Sequence, residues 1–308
     1  MLNKEYLNDI MQRLRFPEEA RRQLLELYDL LNADSTGAAE LESIINDYLA
    51  DDICEPSEAL SRADDLAQRL GQSEYAVQML FWLGCTRLLL PRYREQGFED
   101  EVFYDSMADL RYKLLECMEC KGVAGTFVGG WFHGFFAMAR FAVGRFEYDL
   151  TALSADYTAP DGTVYKKGSP SLNCHIPSSG IPLTDEVRFD SYRRAYEFFG
   201  RHFAQLYAGK PLIITCGSWL LYTAHRDFLP KQLNILRFMD DFDIVSCTEK
   251  PGFGNDWRVF GRYAKLPYAE LPEDTSLRRA YKKHLMEKGV SGDGYGVLIF
   301  DGEKIINK

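Results

Sequence analysis

Two acids, one imidazole and two hydroxyls fall in or beside short apolar runs in the C-terminal part of this chain, where general acid–base chemistry is expected. Glu147 and Asp149 alternate in GRFEYDL, and Asn173 and His175 alternate in SLNCHIP, so in extended strands each pair shares a face. A carboxylate or a near-neutral imidazole held there is a candidate base for deprotonating an ammonium. The plainer alternatives are an ion pair of Glu147 with Arg145 and a hydrogen-bonded strand histidine at position 175. Ser218 and Tyr222, in CGSWLLY, carry hydroxyls that can give a proton to a leaving group.

Between these groups, Leu172 to Leu206 reads as a strand, a polar loop (SSGIPLT) and a long amphipathic helix. A strand that opens onto a helix N-terminus presents unpaired backbone N–H groups, a ready anion site, and cofactor phosphates are the obvious guest. Pro177 biases Ile176 to extended geometry, and Gly180 can take the positive φ that a phosphate-cradling loop needs. Ser178, Ser179 and Thr184 add hydroxyl donors. Two features oppose this: Pro182 has no N–H, and Asp185 and Glu186 compete with phosphate for the helix end. Thr184 as a simple helix cap is the alternative.

The elements that must hold these residues divide by periodicity. From Leu2 to about Cys120, apolar residues recur at three and four, as in Leu24, Leu27 and Leu31, which predicts five or six helices. Breaks are expected at Phe16-Pro17, Asn32 to Gly37, Cys54 to Ser57 and Gly71 to Ser73. Beyond Gly122 the runs shorten, and strands are expected at Phe141–Leu153, Val164–Lys166, Ser171–Pro177, Leu212–Leu221, the DIVSC segment and the closing GYGVLIF. A further strand is expected at WRVFGRY. Helices are expected at Asp185–Tyr207, Lys231–Phe242 and Thr275–Lys288. The fold class is therefore α+β, with an all-helical domain over 1–120 and a mixed-sheet domain over 121–308.

HIPSSGIPLT, CGSWLL, LNILRF and LPEDTSLRRAYKKHLMEKGVSGDGYG occur in an order that resembles a family of bacterial N-acyltransferases, which join a helical N-terminal domain to a GNAT-like C-terminal domain. The resemblance implies direct transfer of an acyl group from acyl-CoA, chiefly acetyl-CoA, to an amine of a small molecule or peptide. It implies that the fourth strand, LNCHIP, splays from the fifth, with acyl-CoA in the gap and its pyrophosphate on the following helix. On this mapping Ile176, Ser178, Ser179, Gly180 and Thr184 meet the cofactor, and Asn234 matches a helix asparagine that meets the CoA arm. The loop departs from the usual glycine spacing, and PKQLNILRFMDDF lacks the tyrosine that relatives use as the acid. A ligand-binding or sensor protein that has lost the chemistry is the rival reading, and hydrolysis of acyl-CoA by water is a third.

Composition narrows the rest. The chain has 308 residues and a net charge of −10, which argues against nucleic acid or anionic membrane as partners. The deficit is confined to residues 1–120, with 12 basic and 25 acidic side chains, against 24 and 21 in the remainder. That imbalance suits a cationic acceptor, or simply solvated acidic helix faces. Seven scattered cysteines and an amphipathic start without a signal-peptide core suit a cytoplasmic protein. The one Cys-x-x-Cys, Cys117 and Cys120, lacks a second pair, so no metal is expected.

Overall fold

The computed structural model describes residues 1–50 and 55–308, so of the expected break at Cys54 to Ser57, Cys54 itself lies outside the described residues. The chain divides into two compact units, Met1–Phe141 and Ala142–Lys308.

Among the described residues six long helices build the first unit: α1 (Lys4–Arg13), α2 (Glu18–Ala33), α3 (Gly37–Tyr48), α4 (Pro56–Arg69), α5 (Glu74–Glu95) and α6 (Asp100–Lys121). Their ends are set locally. Asn3 caps α1 by accepting from the Tyr6 N–H at 2.8 Å, and Gly122, at φ 69°, turns the chain out of α6. The centre is α5, buried around most of its girth from Val77 to Tyr93. At Gly84 a Cβ would lie 2.4 Å from Ile45 Cδ1, so the Ile45 side chain of α3 packs directly on the glycine of α5 and would have to shift for any larger residue. Tyr48, Phe81, Trp82 and Phe136 pack edge-on there, and the Tyr48 hydroxyl lies 3.0 Å from His133 Nδ1. The apolar Gly125–Gly144 stretch makes two short helical turns and the first strand, and among the described residues no helix is long and apolar enough to cross a membrane.

The second unit is organised on a sheet. Its strands are β1 (Arg140–Val143), β2 (Phe146–Ala152), β5 (Pro170–His175), β6 (Leu212–Ser218), β7 (Asp243–Pro251) and β8 (Val290–Phe300), in the order β1-β2-β5-β6-β8-β7. A small ribbon, β3 (Tyr157–Thr158) with β4 (Val164–Tyr165), stands apart. The single strand expected over Phe141–Leu153 is instead two, broken at Gly144, where φ is 68°. The strand expected at WRVFGRY is also corrected. Asp256–Phe260 is helical and stops at Gly261, because the side-chain alternation there is a short amphipathic turn that buries Val259 and Phe260.

One face of the sheet packs on the Asp185–His202 helix, with Phe146 stacked on Tyr192 and Tyr148 hydrogen-bonded to Ser191. The other carries Leu153, Tyr157, Ile213, Val297 and Ile299 as a second apolar cluster. Alternate glycines in β8 make room for the Trp219–Leu221 turn. A Cβ at Gly292 would meet the Tyr222 ring at 2.6 Å, and one at Gly294 the Leu221 carbonyl oxygen at 2.1 Å.

Candidate active site

β5 and β6 run parallel, yet their register holds at just Leu172–Ile214 and Asn173–Thr215. Past that point each strand follows its outer neighbour. β5 stays paired with β2 as far as His175, and β6 stays paired with β8 as far as Ser218. The sheet therefore opens between the C-terminal ends of two parallel strands, beyond their last laddered pair. Gly217, in the β6 wall, is exposed.

The alternation read from the sequence places the polar groups on one face beside this opening. Glu147 stands opposite His175, and Asp149 opposite Asn173. The diagonal brings His175 Nε2 to 2.7 Å from Asp149 Oδ2, and the Asn173 amide to 3.1 Å from the same nitrogen. Glu147 is buried, while the His175 and Asp149 side chains keep 21% and 25% exposure. The buried residues Leu172, Cys174, Ile214 and Cys216 occupy the alternate positions of β5 and β6. Burial pushes the Cys174 thiol well above its ordinary range and Cys216 to about 12, so neither is a thiolate nucleophile at neutral pH.

The loop after β5 is gripped by two guanidinium groups. Arg145 donates to the carbonyls of Pro177 and Ile181, both at 2.9 Å, and Arg188 donates to the Leu183 carbonyl at 2.7 Å. In a trans peptide the N–H lies opposite the C=O, so the Ser178 and Thr184 N–H groups point away from those arginines. Gly180 has φ 78°, with open space where a Cβ would be. Ser179 Oγ accepts from the Ile181 N–H at 3.3 Å, and Thr184 caps the helix by accepting from the Val187 N–H at 3.5 Å. The carboxylate at Asp185 is balanced: it lies 3.1 Å from Arg188 and 3.3 Å from Arg237. The repulsion that this acid would present to a phosphate is thereby offset. Arg188 is itself buried and anchored on Asp241, which also accepts from the Tyr192 hydroxyl.

The remaining candidates are spread more widely. Ser218 ends β6 and accepts from the Leu220 N–H at 3.1 Å. Tyr222 lies beyond the Trp219–Leu221 turn, over β8, and donates to Glu249 of β7 at 2.6 Å. Burial first, and then that carboxylate, push its phenol up. Asn234 opens the Asn234–Asp240 helix. Glu147 and His175 are thus side by side, with Ser218 on the opposite wall's strand and Tyr222 directed elsewhere. The roles of Arg145 and Arg188 in holding the loop, and of Arg237 in pairing Asp185, are absent from the sequence reading. A basic residue just before a strand and another in a helix's first turn were the available signals. Among the described residues no cluster of His, Cys, Asp and Glu could hold a metal ion.

Comparison with known proteins agrees with this architecture. Residues 5–138 match a family model described as an N-acyltransferase N-terminal domain, and residues 141–298 match one described as a GNAT-like C-terminal domain. Among solved structures, an acyltransferase mutant in complex with octanoyl-CoA superposes with a TM-score of 0.74 at 22% identity, over 96% of this chain and 88% of that one. An acyltransferase in complex with decanoyl-CoA and teicoplanin gives 0.70 at 23% identity, over 95% and 87%. No curated protein sequence matches.

Proposed function

The chain belongs to the N-acyltransferase family that joins this N-terminal domain to a GNAT-like C-terminal domain, and we propose that it transfers an acyl group from acyl-CoA directly to an amine. The observation that carries the reading is the parting of β5 from β6 after the Asn173–Thr215 position. An extended thioester arm can pair with the freed edge of β5, and a backbone N–H near Ile176 can then donate to the thioester carbonyl. Such a donor, fixed where charge develops, contributes about 3 kcal/mol to barrier lowering. The loop of Ser178, Ser179, Gly180 and Thr184 would take the pyrophosphate, with its carbonyls already turned onto Arg145 and Arg188. Asn234 would meet the CoA arm.

The acceptor arrives as an ammonium and must lose a proton before its nitrogen can attack. Glu147 and His175 are the candidate bases, placed opposite each other on β2 and β5. Attack gives a tetrahedral oxyanion held by the strand N–H. Collapse expels the CoA thiolate, which the Ser218 hydroxyl can meet at the end of β6. In this reading Tyr222, donating to Glu249, serves the packing over β8 rather than the leaving group.

Acyl length and acceptor are finer parts of the proposal. Similar structures were solved with octanoyl-CoA, with decanoyl-CoA, with decanoyl-CoA and teicoplanin, and with CoA and 10C-teicoplanin. We rank a medium-chain acyl-CoA ahead of acetyl-CoA as the donor to test, and a bulky glycopeptide-like amine first in the acceptor panel. Calorimetric titration with acetyl-, octanoyl- and decanoyl-CoA, followed by thiol release with each amine, tests this. Saturable binding that a Gly180→Trp variant loses, and thiol release that needs the amine, are expected. Binding without turnover on the whole panel would favour a ligand sensor, and thiol release without any amine would favour hydrolysis.

A further inference from the structure

The acid–imidazole geometry on β2 and β5 assigns a role to a residue that the transfer chemistry above does not use. A neutral imidazole has one N–H and one lone pair, and which nitrogen holds the proton is decided by the partner of the other. His175 Nε2 lies 2.7 Å from Asp149 Oδ2. An ionised carboxylate only accepts, so a hydrogen bond there requires the proton on Nε2 and leaves the lone pair on Nδ1. The Asn173 amide, 3.1 Å from Nε2, can accept from the same N–H, since amide O and N exchange places by a half-turn. Backbone register reinforces the arrangement. Asp149 and Asn173 are direct cross-strand partners, one step along the face from the Glu147–His175 pair, so ring and carboxylate are fixed by the ladder rather than by loops.

We propose that Asp149 is a positioning residue that holds His175 as the Nε2–H tautomer, so that Nδ1 is the atom that accepts the ammonium proton in acyl transfer. The step balances simply. The acceptor's N–H bond breaks, its electron pair becomes the nucleophile, and the proton moves to Nδ1, giving an imidazolium that Asp149 stabilises. Once the C–N bond has formed, the nitrogen carries a positive charge and a second proton to lose; that proton passes through the Ser218 hydroxyl to the thiolate as the C–S bond breaks, and the imidazolium gives its own proton to water. Asp149 touches neither substrate nor cofactor in this scheme and acts through the ring alone.

The inference rests on His175 serving as the base, so its test separates the two. Long-range proton–nitrogen NMR on the full-length, ¹⁵N-labelled protein reads the tautomer directly, with the His175 signals identified by their loss in a His175→Gln variant. The wild type should show Nε2–H, and Asp149→Asn, nearly the same shape, should shift the ring toward Nδ1–H. The same variant should lower kcat by about 10²- to 10⁴-fold, the range known when a carboxylate partner of a catalytic histidine becomes an amide. KM for acyl-CoA should change less than about threefold. Asp149→Glu should recover part of kcat. A wild-type ring in the Nδ1–H form, or Asp149→Asn with unchanged tautomer and unchanged kcat, overturns the assignment. A correct tautomer switch in a protein whose His175→Gln variant keeps full turnover overturns the base assignment to Nδ1 and leaves Glu147 as the base.

Discussion

Two histidine clusters in the second unit use the same side chain in opposite ways. His175 lies beside the sheet's opening, partly exposed and hydrogen-bonded to a carboxylate. His225 is fully buried, ringed by Trp219, Tyr222, Phe228 and Tyr281, and bonded through Nε2 to the Tyr281 hydroxyl. Burial first of all drives the His225 pKa down to about 4. One ring has a carboxylate beside it, and the other is kept neutral by the cost of charging it among aromatic edges. The imidazole does not decide its own use; the partner and the access to water do.

Removing each ring should therefore damage different properties, and the largest effect belongs to the open cluster. His175→Ala should lower kcat about 10³-fold, the ordinary worth of a general base, while leaving the urea unfolding midpoint nearly unchanged. A fall in stability with intact turnover would erase the distinction. Away from both rings, Arg188→Met leaves Asp241 buried without its guanidinium and should cost about 3–5 kcal/mol of unfolding free energy.

The pH response sharpens the contrast further. An unfolded histidine titrates near 6.5, whereas folded His225 resists protonation to about 4. Its contribution is therefore complete above pH 6.5, and as pH falls from 6.5 to about 4 the unfolded chain binds a proton that the folded one refuses. Roughly 3 kcal/mol is lost across that window, at about 1.4 kcal/mol per pH unit. Urea titrations over pH 4–7 should show this limb in the wild type and not in His225→Gln. The smallest effect is expected at the loop. Gly180→Ala meets no neighbour and should cost only the ~1 kcal/mol of a left-handed backbone, yet weaken acyl-CoA binding measurably by calorimetry.

How much of this could be read beforehand follows from the range of each interaction. The helices of the first unit announce themselves through spacing of three and four, because each depends on its own apolar stripe. The face shared by Glu147 with Asp149, and by Asn173 with His175, was legible because strand alternation is local. That Asp149 would reach His175 rather than solvent was not, since it depends on a register set across the β3–β4 ribbon. The hairpin within Phe141–Leu153 hid because a single Gly144 makes its turn, with apolar residues continuing on both sides. The Arg145 and Arg188 grips on the loop involve backbone carbonyls, which leave no mark in residue identity. WRVFGRY misled because a short amphipathic turn and a strand look alike over seven residues.

The glycine row of β8 has a consequence in time. Leu221 rests on Gly294 and the Tyr222 ring on Gly292, and β6 draws its outer partner from the same strand. On a ribosome, β6 and its turn emerge long before the surface they lie on exists. Synthesis must run through Phe300 before that wall of the opening can close over the glycines, so a nascent chain carrying every candidate acid and base would still lack the finished slot in which to use them.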